Sequence, residues 1–250
     1  MTRERPRFQG VLWIVRFNWP FYVAAIAVNL VVLVAVRGVP RPLGGLAVVA
    51  ASLSDLWLVA SLVVSHYVYD RSAVARCEWL GGPAAETVRT VATFHAGHDE
   101  ASVATRRHYP DVGLSVFDFF DPTRNTEASL LRARRLAKGD GGVPMALDAI
   151  PLDSATLDVG YVVFAAHEIR APADRVTFFR ELARVLAPTG QLIVVEHLRD
   201  GWNALAYGPG ALHFLSRHTW LATFRESTLV VQRESRLTPF VGVFELGRAP

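Results

Sequence analysis

The sequence carries eight histidines, and the acidic residues beside them are where it could do chemistry. His167-Glu168 and Glu196-His197 each set an imidazole next to a carboxylate. Those residue types move protons near neutral pH. His95, His98, Asp99, Glu100 and His108 crowd a third stretch, but their spacing is not His-Glu-x-x-His. No metal centre is expected from it. A hydrogen-bonded rim without chemistry is the competing reading of the His167-Glu168 and Glu196-His197 pairs. Asp118 and Asp148-Ala149 each follow a short apolar run, where a carboxylate could accept from hydroxyl groups or simply end a strand in a turn.

Several chemistries are excluded. Lys138 is the sole lysine among 26 basic residues. No Gly-Lys-Ser/Thr phosphate loop exists. A Tyr-x-x-x-Lys pair would need tyrosine at position 134, which is Arg134. Cys77 is the single cysteine, so neither an intrachain disulfide nor a cysteine-rich zinc site can form. A net charge of +3 with no basic, aromatic-interleaved stripe gives no footprint for nucleic acid.

The elements that position these residues begin at about residue 87. Strands are expected over Val88–His95, Gly113–Phe117, Val143–Leu147, Leu157–Ala165 and Gln191–Val195, then Leu229–Gln232 and Val241–Leu246. Helices are expected over Glu100–His108, Arg124–Ala137, Asp174–Leu186 and Leu212–Phe224. Alternation of this kind gives a Rossmann-like, mostly parallel sheet with helices on both faces, and ligands bind beyond the strands' carboxyl ends.

Ile150-Pro-Leu-Asp-Ser-Ala-Thr-Leu-Asp-Val159 and Phe179-Arg-Glu-Leu-Ala-Arg-Val-Leu-Ala-Pro-Thr-Gly-Gln-Leu192 resemble the class I S-adenosylmethionine-dependent methyltransferases. The first is like that family's acidic loop and fourth strand, the second like its helix, turn and fifth strand. Glu196–Asp200 and His213–Arg217 resemble a membrane-anchored branch. The likeness spans about residues 86–248. It implies S-adenosylmethionine as cofactor, with His95 and Gly97 near its methionine end, Asp118 on the ribose and Asp148-Ala149 on the adenine. It also implies an acceptor side carrying His167, Glu168 and His197. Where the family has a glycine-rich first loop, this chain has Phe94–Glu100, in which only Gly97 is small and permissive. Trp202, Tyr207, His213, Phe214, His218 and Trp220 fall in a segment that often covers the acceptor in this family.

The chain is 51% hydrophobic, and the excess lies near its start. Trp19–Val36 and Leu43–Val64 are apolar runs separated by Arg37-Gly-Val-Pro-Arg-Pro42. A bilayer core of about 30 Å needs roughly 20 such residues in a helix, so the pair is expected as a transmembrane hairpin. Arg3, Arg5, Arg7 and Arg16 precede it and Arg71 and Arg76 follow it, against Arg37 and Arg41 in the turn. The positive-inside rule then puts both termini and the α/β domain in the cytoplasm of a multi-pass inner-membrane protein. Asp55, which costs about 2.5–3.5 kcal/mol inside lipid, should face Asn29. The divisions are a basic, aromatic interfacial segment over 1–18, the hairpin over 19–69, a linker over 70–86 and a methyltransferase-like domain over 87–250. The expected partners are the lipid bilayer and a lipophilic small-molecule acceptor. The alternative is a non-catalytic methyltransferase-like scaffold or ligand-binding protein.

Overall fold

A computed structural model of the protein describes residues 6–82, 87–137 and 141–249. Arg3, Arg5, Lys138 and the join between linker and domain lie outside them. Two long helices come first, α1 (Gln9–Ala35) and α2 (Arg41–His66). At about 1.5 Å per residue each is roughly 40 Å long. Both are long and apolar enough to cross a membrane by length and composition, and their apolar windows are not buried within the protein. Helix α1 starts ten residues before the apolar run. Trp13 and Phe17, expected in a separate interfacial segment, therefore belong to the helix itself. Nothing between Gln9 and Ala35 stops it, and Pro20 is accommodated inside.

The hairpin is closed at both ends. At the tip, Pro40 caps α2 and Pro42 occupies its first turn, where a missing N–H costs nothing. A Cβ on Gly44 would come 2.7 Å from a Val36 methyl, so only glycine permits this approach. Midway, Asn29 donates to Asp55, the pairing expected from sequence. At the foot, a single π turn (Tyr67–Arg71) carries Asp70 back to the start of α1. Its carboxylate accepts from Gly10 N (2.6 Å) and Val11 N (3.0 Å). These are amides that a helix start leaves without partners.

Among the described residues the α/β domain holds seven strands: β1 (Val91–His95), β2 (Leu114–Asp118), β3 (Val143–Pro144), β4 (Leu157–Val163), β5 (Leu186–His197), β6 (Leu229–Thr238) and β7 (Val241–Arg248). They form one sheet in the order β3-β2-β1-β4-β5-β7-β6. β7 runs antiparallel to both neighbours; every other pairing is parallel. Helices α3 (Ser102–His108), α4 (Ala128–Leu136), α5 (Pro172–Val185), α6 (Gly201–Tyr207) and α7 (Arg217–Glu226) complete it. Fully buried side chains such as Phe94, Phe178, Leu192 and Phe244 fill one face, and Tyr161, Ile193 and Val195 the other.

Several boundaries differ from expectation: β1 starts three residues later, β5 and β6 run well beyond Gln191–Val195 and Leu229–Gln232, and three further differences have local causes. Strand β3 ends at Pro144, because an edge strand containing proline pairs weakly. Helix α4 starts at Ala128, since Asp121 and Asn125 first fold the chain into a hydrogen-bonded turn. The helix expected over Leu212–Phe224 is split. Gly208–His213 forms a 3-10 turn, and α7 begins after Ser216, whose hydroxyl caps Thr219 N at 3.1 Å.

Candidate active site

Strands β1 and β4 are neighbours whose chain connections leave in opposite senses, so a crevice opens beyond their carboxyl ends. Ala96 and Gly97 follow β1; Phe164, Ala165, His167 and Glu168 follow β4. All line one cavity of about 580 Å³. Its other wall is the hairpin foot: Phe17 and Tyr22 of α1, Ser61 and Ser65 of α2, and Tyr69. Tyr207, His213 and Phe214 close a side. The cavity is thus shared between hairpin and sheet.

Contacts fix the hairpin there. The Tyr69 hydroxyl meets His197 Nε2 at 2.9 Å, and Trp13 stacks on His98 at 5.1 Å. Arg132 of α4 donates to the Phe17 carbonyl. Trp57 Nε1 donates to the Leu205 carbonyl at 3.0 Å, beside Gly208, which has φ +53° and packs its bare Cα against the indole.

His167 occupies the most polar corner. Its Nδ1 lies 2.7 Å from Glu196 Oε2, and Glu196 is fully buried. Its Nε2 is 3.5 Å from Glu168 Oε1. His213 stands edge-on to its ring, with Nδ1 3.2 Å from Glu127. Burial opposes a charged His167 ring, but Glu196 and Glu168 outweigh it and hold its pKa well above the ordinary value. Burial acts against ionised Glu168 too, yet His167, His213 and Arg170 bring it below the usual carboxylate range. His213 is pushed down to about 4 by burial and by the neighbouring His167 charge. Desolvation and repulsion from Glu168 raise Glu127.

His197 also reaches the cavity, but both nitrogens are engaged. Nδ1 is 3.0 Å from the Phe240 carbonyl and so carries the proton, while Nε2 accepts from Tyr69. Burial lowers its pKa to about 4, so the ring is neutral. It positions the hairpin and leaves no lone pair for a substrate.

The residues expected around the cofactor lie in three settings. Gly97 faces the cavity, and a Cβ there would strike Leu130 Cδ1 at 2.4 Å. His95 ends β1 level with Asp118; it is buried, with no hydrogen-bond partner for either nitrogen among the described residues. Asp118 is outside the cavity lining. Its carboxylate accepts from Phe120 N at 3.0 Å and from Arg134 at 2.8 Å. Asp148 and Ala149 are exposed in a turn beyond β3, likewise off the cavity. Of the six covering residues expected, Tyr207, His213 and Phe214 reach the cavity. Trp202 and His218 are exposed, and Trp220 is buried in the core.

Sequence reasoning missed several contributors or their partners. Glu196, which the sequence sets beside His197, is instead the partner of His167. Glu127 and His213 meet across 86 residues of chain. Arg175 is 2% exposed and donates to the Ile169 carbonyl at 2.8 Å, bracing the turn that carries His167. Phe164 holds φ +48°, rare for a bulky residue, and so lays its ring 5.1 Å from His197. The apolar run ending at residue 165 carried no signal for that backbone.

Comparison with known proteins agrees with this geometry. A family model described as a methyltransferase domain matches residues 123–194. No curated protein matches. Among solved structures, an S-adenosylmethionine-dependent methyltransferase from Aquifex aeolicus is similar at 16% identity and TM-score 0.51, over 69% of this chain and 86% of that one. Mitomycin 7-O-methyltransferase is similar at 19% identity and TM-score 0.51, over 97% of this chain and 70% of its own. At those identities the likeness shows the fold. The fold resembles that of the class I S-adenosylmethionine-dependent methyltransferases, and the methyltransferase-domain match lies within it. S-adenosylmethionine is the cofactor of that class.

The residues present fit that cofactor. Arg134 Nη1 now spans the Ala96 carbonyl (2.9 Å) and Asp118 Oδ1 (3.0 Å), with its guanidinium 3.9 Å over the Phe120 ring. It is a donor group lying on an acceptor pair and an aromatic face, as a stand-in for ribose hydroxyls beside a base. Both His95 nitrogens are without a hydrogen-bond partner among the described residues, and Nε2 lies 3.0 Å from where a Cβ of Gly142 would be, a position also 3.1 Å from Asp118 N.

Proposed function

We propose that this chain is a membrane-anchored methyltransferase whose lipophilic acceptor reaches the cavity from the bilayer. The observation that carries the reading is the shared cavity, walled on one side by the foot of an apolar hairpin and on the other by the methyltransferase strand ends. The exposed apolar side chains of Trp202, Leu205 and Leu212 fit it as well. They project from α6 and the following turn, beside Trp57 of the hairpin, where an interfacial element would dip into headgroups. The arginine distribution at the hairpin ends favours a cytoplasmic domain.

Asp118, Ala96, Gly97 and the Asp148-Ala149 turn would hold the donor, with Arg134 leaving Asp118 as it binds. The bound cofactor supplies a methyl group already activated on sulfonium. The apolar wall of Leu130, Phe17 and Phe164 would exclude water and orient the acceptor, so proximity does most of the work. His167 lines the cavity as an imidazolium; after passing its Nε2 proton to Glu168, 3.5 Å away, it would take the proton from an acceptor hydroxyl or acidic carbon. Glu196 on Nδ1 would fix the tautomer and stabilise the imidazolium formed.

The non-catalytic alternative draws on the Arg134–Asp118 ion pair, which fills part of the donor site. Calorimetry on the full chain in nanodiscs separates the two. Saturable S-adenosylhomocysteine binding is expected, followed by transfer of labelled methyl from S-adenosylmethionine into the lipid extract of the source membranes. No cofactor binding would overturn the enzymatic reading. Label confined to water-soluble products would overturn the lipophilic acceptor.

A further inference from the structure

We infer that His167, Glu168 and His213 form a binding site for one divalent transition-metal ion at the polar corner of the cavity. The three side chains each offer a ligand atom, and these atoms lie within 4.8 Å of one another. Glu168 Oε1 stands 3.5 Å from His167 Nε2 and 4.0 Å from His213 Nε2. Both separations are too long for good hydrogen bonds. Ligands each about 2.0–2.2 Å from a shared ion sit roughly 3.0–3.5 Å apart, so the wider gaps, which reach at most 4.8 Å, must close by up to about 1.3 Å through side-chain movement to seat one.

The surroundings point the same way. Metal-bound histidines almost always donate their other ring N–H to a carboxylate, a backbone carbonyl or water, which orients the ring. Here this arrangement occurs twice: His167 Nδ1 on Glu196 at 2.7 Å, and His213 Nδ1 on Glu127 at 3.2 Å. Each pairing turns an Nε2 toward the same carboxylate. Glu168 Oε2 is buried without a hydrogen-bond partner, an acceptor that a cation would satisfy. Charge is complementary too. Glu127, Glu168 and Glu196 face one guanidinium, that of Arg170, which is 3.5 Å from Glu127 and donates to the His167 and His213 carbonyls. With neutral rings the corner carries two net negative charges, which one divalent ion cancels.

Two imidazoles and one carboxylate suit Zn²⁺, Mn²⁺, Fe²⁺ or Co²⁺ rather than the oxygen-seeking Ca²⁺ or Mg²⁺. Three protein ligands leave at least one coordination position open toward the cavity. It fits an anionic oxygen of the acceptor, a role that rests on the proposed function, whereas ion binding does not. A coordinated His167 Nε2 has no lone pair for a proton. In the loaded protein the acceptor oxygen would be held as its anion by the ion itself.

The test uses the full chain in detergent micelles, stripped with chelator. Isothermal titration with Zn²⁺, and electron paramagnetic resonance with Mn²⁺, should give one saturable site per chain. Glu168→Gln and His213→Ala should weaken it at least 100-fold. Glu127→Gln, which leaves all three ligands, should weaken it about 10–100-fold. Circular dichroism melting checks each fold, and Glu127→Gln serves if the ligand variants fail to fold. Absence of a one-to-one site, or unchanged affinity in the folded variants, would overturn the inference. S-adenosylhomocysteine binding is measured on the same samples. Its loss with the ion retained would remove the proposed function and leave this site standing; the opposite pattern would do the reverse.

Discussion

The buried His197 ring ties the stability of this protein to mild acid. In the unfolded chain its pKa is about 6.5; folded, it is held at about 4, chiefly by burial. A histidine whose folded value is depressed lends stability above its unfolded value. That stability is lost as pH falls, because the unfolded chain takes up a proton that the folded ring refuses. The gap between the two values corresponds to about 3 kcal/mol in all, of which about 2 kcal/mol disappears between pH 7.5 and pH 5. His213 adds a share of the same sign, and His167, held high, contributes the opposite slope. The informative quantity is therefore the difference between wild type and His197→Gln. A glutamine amide can still donate to the Phe240 carbonyl and accept from Tyr69, but it does not titrate. Urea unfolding in mild detergent, followed by tryptophan fluorescence at the two pH values, should show a wild-type loss about 2 kcal/mol larger than the variant's. Equal losses would refute the assignment of a neutral, proton-refusing His197.

Three further outcomes are expected. His167→Ala, checked for folding, should bind S-adenosylmethionine almost normally and transfer methyl groups about 10²–10⁴-fold more slowly; loss of cofactor binding would place His167 in the donor pocket instead. Asp118→Ala should weaken cofactor binding by about 1–3 kcal/mol in calorimetry, whereas Arg134→Ala, which releases that carboxylate from its ion pair, should shift affinity the other way. Cysteines introduced at exposed Arg89 or Arg225 should be labelled in intact cells by a membrane-permeant maleimide and not by an impermeant one; the reverse would overturn the cytoplasmic orientation.

What could be read beforehand followed from local periodicity. The apolar runs gave α1 and α2. The alternation of short apolar and amphipathic stretches gave the order of strands and helices. The Asn29–Asp55 pair was legible because two polar residues in apolar helices have few other partners. The position of His167 after β4 followed from the same pattern. Partner choice across the chain was not legible. Asp70 caps a helix that starts 60 residues earlier, and Arg134 claims Asp118, because helix α4 begins four residues later than its pattern implied and is placed by the turn before it. Nor does spacing show that Glu196, not Glu168, holds the His167 Nδ1. That depends on β5 running two residues past the end of β4, where Val163 pairs with Val195, so that Glu196 meets the turn after β4.

The closed foot of the hairpin has a consequence for kinetics. Asp70 binds the start of α1 to the end of α2, and Tyr69 and Trp57 bind both to the domain. On the proposed placement the cavity then sits at a set height above the lipid, and meetings with the acceptor take place in a plane. Turnover would follow the acceptor's mole fraction in the leaflet and be indifferent to its concentration per litre. Inert phospholipid added to the vesicles would slow the reaction in proportion, while a larger volume of buffer around the same vesicles would leave it unchanged.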